Sequence, residues 1–184
     1  GQFKTPTGQS VSTGSEQLFE NSDGSGKVQF LYMADLDKYA LIYTDPDDSN
    51  KVWGRVGTRS GTSFSYGTAA EIYNNNSDWI SADYMGGGKI ILGVNPNGRI
   101  SLLTVSGTSI SEESGSSGTI TTYVSTFVVR AMSSTKAMVI YRRTYDNKTY
   151  AVVITRSSNS LSQGSALEVY GNISTENRMT AVYN

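Results

Sequence analysis

The sequence predicts an all-β, β-propeller-like fold, and three observations carry that prediction. A Ser-apolar-Ser step recurs four times, a lysine-led apolar strand recurs three times, and helical periodicity is nearly absent. Self-similarity at a fixed period is the signature of repeat architectures, so the repeat sets the frame for everything else.

The step reads Ser10-Val11-Ser12, Ser63-Phe64-Ser65, Ser109-Ile110-Ser111 and Ser160-Leu161-Ser162, at intervals of 53, 46 and 51 residues. A glycine follows each copy, at Gly14, Gly67, Gly115 and Gly164. A short apolar stretch comes next: Leu18-Phe19, Ile72-Tyr73, Ile120, then Val169-Tyr170. The second echo is Lys38–Tyr43, Lys89–Val94 and Lys136–Tyr141, each a buried strand opened by a lysine. Upstream of each lies another strand, at Val28–Met33, Trp79–Tyr84 and Phe127–Met132. A third lies downstream, at Val52–Gly57, Arg99–Val105 and Tyr150–Thr155.

The unit is therefore four short strands, A to D, with the Ser-apolar-Ser segment as D. No window keeps apolar residues at i, i+3, i+4 and i+7, while β-branched and aromatic residues fill the periodic segments. Turn residues separate the strands, as in Asp45-Pro46-Asp47-Asp48-Ser49-Asn50, Gly86-Gly87-Gly88 and Asn95-Pro96-Asn97-Gly98.

These boundaries make residues 1–184 one repeat domain, with units 27–77, 78–125 and 126–174 and partial units 1–26 and 175–184. Antiparallel four-strand units of this length suit propeller blades, which bury their apolar sides against one another. About four blades are expected, the last built from both termini. The N-terminus would supply a D strand at Ser10–Phe19, with a stub of C at Gln2–Thr5. The C-terminus would supply an A strand at Arg178–Tyr183. A β-sandwich is the competing all-β arrangement, but it does not predict four copies of one step. A stretch of a longer array is the alternative to ring closure.

Composition narrows the function. The chain has no histidine and no cysteine, which excludes a Ser-His-Asp or Cys-His nucleophile, a Cys/His zinc site, thiol redox chemistry and disulfides. A net charge of −1 gives no basic field for nucleic acid or an anionic membrane surface. No apolar run approaches the ~18–20 residues of a membrane helix. No cofactor is expected, and neither nucleic-acid partners nor membrane insertion.

In a meander unit the D-to-A and B-to-C loops emerge on one face, and the A-to-B and C-to-D loops on the other. The first face collects Asn21, Asp23, Asp45, Asp47, Asp48, Asn50, Asn74–Asn76, Asp78, Asn95, Asn97, Arg142, Arg143, Asp146 and Asn147; the second collects Gly, Ser, Thr and Ala. Carboxamides, carboxylates and guanidinium groups beside aromatics suit hydroxyl-rich ligands. Asp47, Asn97, Arg142, Arg143, Asp146 and Asn147 are the candidate ligand-binding residues. Against this stands the plain turn preference of Asn and Asp.

Asp45–Asn50 offers alternating oxygen ligands, as a calcium loop does, but lacks the glycine and closing glutamate of a full set. An acidic turn is the expectation there, with no metal site. Trp53 and Trp79 are expected in the core. Lys38, Lys89 and Lys136 are expected to protect a strand edge.

The segments Val56–Thr68 and Thr104–Ser111, which carry the Gly-Thr-Ser-apolar-Ser pattern, resemble repeats in large phage virion and tail proteins and in secreted bacterial proteins. The resemblance implies a propeller on a virion or cell surface that adheres or assembles, and it brings no catalytic residue. The expected function is thus a non-enzymatic, extracellular binding or assembly module that recognises a glycan, a receptor or a virion partner. Two alternatives remain. A sialidase-like propeller glycosidase would need an Asp-box turn, which Ser22–Gly26 only partly resembles, and an arginine cluster. A structural spacer would bind nothing.

Overall fold

The structure is a computed structural model that describes residues 18–19, 26–95, 97–121 and 124–170. Within them the chain folds into three antiparallel sheets, one after another in sequence. The first holds β1 (Val28–Met33), β2 (Lys38–Asp45), β3 (Lys51–Ser60), β4 (Ser63–Tyr66) and β5 (Ala70–Tyr73). The second holds β6 (Ile80–Gly86), β7 (Lys89–Val94), β8 (Arg99–Ser106), β9 (Ser109–Glu112) and β10 (Gly118–Thr119). The third holds β11 (Val124–Ala131), β12 (Lys136–Arg143), β13 (Thr149–Ser157), β14 (Ser160–Gln163) and β15 (Leu167–Tyr170). Only a 3-10 turn at Pro46–Asp48 departs from strand and loop among the described residues.

The expected strands A, B and C are present in all three units. Strand D differs: it comes in two pieces, and both pair with strand C of the same unit. The repeat glycine sits at the break. Gly67 and Gly164 each donate their N–H across to strand C, to the Val56 and Val153 carbonyls at 2.9 Å. A Cβ on Gly67 would lie 2.2 Å from the Thr108 carbonyl oxygen, so the break lets the C–D turn of the second unit press against the first.

Consecutive sheets pack face to face over two apolar cores. Ile42, Val52, Val56 and Ile72 meet Ile90, Leu92, Leu103 and Ile110 between the first and second sheets. Ile91, Ile100 and Leu102 meet Phe127, Val129, Val139 and Val152 between the second and third. The second sheet is thus covered on both faces, which is why β7 reads as a nearly unbroken apolar run.

Polar contacts set β6 beside β11. Trp79 Nε1 donates to the Phe127 carbonyl at 3.0 Å, Ser81 Oγ accepts from Val129 N–H at 3.0 Å, and Asp83 Oδ2 accepts from Ala131 N–H at 2.9 Å. Both members advance by two residues at each step, so the two first strands run side by side in the same direction.

Two expectations change. Lys38, Lys89 and Lys136 open strands that lie inside their sheets, flanked on both sides, so they protect no edge. Lys38 instead donates to the Gly107 carbonyl across the sheet interface at 2.5 Å, and Lys89 binds Thr104 Oγ1 at 2.7 Å and the Glu113 carboxylate. Trp53 is half-buried, with its indole N–H committed to Asp48, whereas Trp79 packs half-buried against the second core as expected, its indole N–H donating to the Phe127 carbonyl. The strands expected at Gln2–Thr5 and Arg178–Tyr183, and all of Ser10–Phe19 but its last two residues, lie outside the described residues.

Candidate functional site

Each B-to-C loop takes its shape from the residues that first mark it as polar. In the first unit, Asp45 Oδ1 accepts from Asp47 N–H at 3.0 Å and caps the 3-10 turn. Asp48 pairs with Lys51 Nζ at 3.0 Å and accepts from Trp53 Nε1 at 3.1 Å. Asp45–Asn50 is therefore an acidic turn that supplies its own donors. Among the described residues no group of three or more acidic side chains converges as a metal site would.

In the second unit, Asn97 is exposed and its amide lies 3.5 Å from Tyr73 Oη. Arg99 stacks over the Tyr73 ring at 5.0 Å and pairs with Glu112. Asn97 is thereby held against the last strand of the unit before it. Neighbouring Asn95 is buried, with its amide donating to the Ser125 carbonyl at 3.2 Å.

The third loop gathers the densest group. Arg142 Nη2 donates to Asn147 Oδ1 at 2.8 Å. Arg143 lies between two rings, 4.3 Å from the centre of Tyr145 and 4.1 Å from that of Tyr150. Its Nε donates to Asp146 Oδ2 at 3.1 Å, and Tyr150 Oη donates to the same oxygen at 2.8 Å. The Arg143 hydrogen bonds, first of all, hold the Asp146 carboxyl far below the usual carboxylate range, and Asp146 in turn pushes the guanidinium up. Burial, then the bond to Asp146, raises the Tyr150 hydroxyl. The outer ring, Tyr145, is 64% exposed.

Four of the six candidate residues, Arg142, Arg143, Asp146 and Asn147, thus come together in one loop, while Asp47 and Asn97 sit in the loops of other units. Most of their hydrogen-bonding capacity is spent locally, as their turn preference implies. What remains is a rigid, partly exposed platform of guanidinium and aromatic ring. Sequence reasoning missed Tyr145 and named Tyr150 only as the start of a C strand. The signal available was the Arg-Arg-x-Tyr-Asp run itself, because an arginine beside two tyrosines favours cation–π stacking. Asn21 and Asp23 lie outside the described residues.

The fold and this loop define an all-β repeat protein with a polar, aromatic loop face. Comparison with protein-family models, curated proteins and solved structures returned no match.

Proposed function

We propose that the chain is a non-enzymatic binding or assembly module whose B-to-C loop face takes a hydroxyl-rich ligand such as a surface glycan. One observation carries this reading: the exposed Tyr145 ring is locked over Arg143, beside Arg142 and Asn147. A sugar presents an apolar ring face and paired hydroxyls, and an aromatic plane flanked by fixed polar groups complements both. Pre-organisation lowers the ordering cost of binding. The proposal includes a four-bladed propeller whose three described sheets are blades and whose fourth blade draws on both termini. It also includes a virion or cell-surface setting, which the resemblance of the Ser-apolar-Ser repeats supports.

A glycan array tests it, with wild type beside Tyr145→Ala and Arg142→Ala. Binding that both variants weaken about tenfold or more, with melting unchanged, is the expected result. Release of free sugar from a bound glycan overturns the non-enzymatic reading in favour of a hydrolase. Binding to no glycan, receptor or virion fraction leaves a spacer.

A further inference from the structure

The junction between the second and third sheets is filled differently from the one before it. Register makes the two comparable: Tyr43 pairs with Trp53 and Val94 with Arg99, so Gly54 of β3 and Ile100 of β8 hold the same place. Opposite them on the last strand of each sheet stand Ala70 and Gly118. At the first junction that place is closed. Ala70 packs against the core, and a Cβ on Gly54 would lie 3.0 Å from Ile110 Cγ2 and 3.3 Å from Ile72 Cγ1.

At the second junction Leu161 takes the part of Ile110, and Gly118 brings no side chain where the first sheet has Ala70. A Cβ on Gly118 would meet nothing within 4 Å. The result is a cavity of about 140 Å³ between the two sheets. Ile100 and Ile120 form its wall on one side, Ile154 and Leu161 its wall on the other. Apolar cavities of about 150 Å³ admit a benzene ring.

The mouth carries one uncommitted polar side chain. Gln163 lines the cavity and is exposed, and it shares a face of β14 with Leu161 because strand side chains alternate. In the second unit the same place belongs to Glu112, which pairs with Arg99. The third unit has Tyr150 where the second has Arg99, and Tyr150 donates to Asp146 instead. Among the described residues the Gln163 carboxamide therefore has no hydrogen-bond partner.

We infer that this cavity is a binding site for a small, uncharged aromatic ligand with one hydrogen-bonding group, a phenol being the simplest case. The flat ring lies between the two apolar walls, and the hydroxyl meets the Gln163 carboxamide at the mouth. No charged side chain lines the cavity, so a charged ligand would give up its hydration without gaining a partner. The site shares no residue with the B-to-C loop face and is independent of the glycan reading.

Methyl NMR on the full 184-residue chain, titrated with p-cresol and with toluene, tests it. p-Cresol should shift the methyl signals of Ile100, Ile120, Ile154 and Leu161 in a saturable way, and toluene should do so with about threefold to tenfold lower affinity. Gly118→Val puts a side chain into the cavity and should weaken p-cresol binding about tenfold or more, with melting at or above wild type. Gln163→Ala, a change at an exposed position, should bring p-cresol down to the affinity of toluene and leave toluene unchanged. Shifts that do not saturate, or that survive Gly118→Val undiminished, overturn the site. Toluene binding wild type as tightly as p-cresol, or p-cresol indifferent to Gln163→Ala, overturns the phenolic ligand class.

Discussion

Gly93→Ala drives the second and third sheets apart, and its cost follows from one ring. Gly93 lies within β7, with its backbone against the edge of Phe127. A Cβ there would stand 2.4 Å from Phe127 Cε2, 3.0 Å from Cδ2 and 3.0 Å from Val129 Cγ2. Carbon atoms in contact rest about 3.5–4.0 Å apart, so the ring must retreat by roughly 1 Å. Phe127 is only 1% exposed and has neighbours on every side. Overpacking of this kind costs about 1–3 kcal/mol. Against it stands the ~0.4–1 kcal/mol that alanine contributes by restricting the unfolded chain. The net is a loss of about 1–2 kcal/mol, or a fall in Tm of about 2–8 °C for a chain of this length. Thermal melting followed by circular dichroism reads it. Phe127→Leu removes the clashing ring edge, so the double variant should cost about 1 kcal/mol less than the two single costs added. A Gly93→Ala chain that melts at or above wild type, or single costs that simply add, would refute this account of the interface.

Gly118→Val should raise Tm by about 1–4 °C. A Cβ there meets nothing within 4 Å, and it borders a cavity of about 140 Å³ lined by Ile100, Ile120, Ile154 and Leu161. Millimolar calcium, or a chelator, should leave the melting curve unchanged, since the Asp45–Asn50 carboxylates already serve their own turn. Asp146 and Glu113 both titrate below their ordinary values, Asp146 through Arg143 first and Glu113 through Lys89 first. Their contribution is therefore complete above the unfolded carboxylate range near pH ~4 and is lost as pH falls through the lowered folded values. Asp146→Asn should lower Tm at neutral pH and flatten its decline between about pH 5 and pH 2; an acid limb as steep as wild type would count against the Arg143 pair.

The repeat was legible because its marker residues form one row across each sheet. Lys38, Thr58 and Ser65 stand opposite one another in the first sheet, Lys89, Thr104 and Ser111 in the second, and Lys136, Thr155 and Ser162 in the third. That row sits beside the C–D turn, whose first residue needs positive φ: Gly61, Gly107 and Ser158. Turn chemistry and cross-strand register are local, so they show in the sequence. The broken D strand was not legible, because the Gly67 break answers pressure from Thr108 in the next unit. Nor was the role of Lys38, because the carbonyl it meets, that of Gly107, belongs to the next unit. At the loop face, Arg142, Arg143, Asp146 and Asn147 could be named from composition. The Arg143–Tyr150 stack could not, because Tyr150 alternates toward the core and its ring looks like packing.

The two sheet interfaces are set in register by different means. Apolar faces bury area without fixing one sheet's position along the next, because the hydrophobic effect has no direction. Hydrogen bonds supply that position. Between the second and third sheets the work falls to Trp79, Ser81 and Asp83, reaching backbone groups of β11. In β1 the places of Ser81 and Asp83 hold Gln29 and Leu31; the glutamine amide turns back to the Val28 carbonyl, and the leucine packs against the core. Registration of the first interface moves to the A–B turns. There Asp35 accepts from Tyr84 Oη at 2.5 Å and from Gly87 N–H at 2.9 Å, and Gly88 N–H donates to Tyr84 Oη at 2.9 Å. Tyr84 holds its hydroxyl proton more tightly there, through burial and then the Asp35 bond, while the Tyr84 bond lowers the carboxyl. A repeat whose units were copies in every side chain would place the same bonds at each interface. Here the apolar faces and the turn row repeat, while each of the two junctions carries its own polar fastening, which gives neighbouring sheets a specific partner.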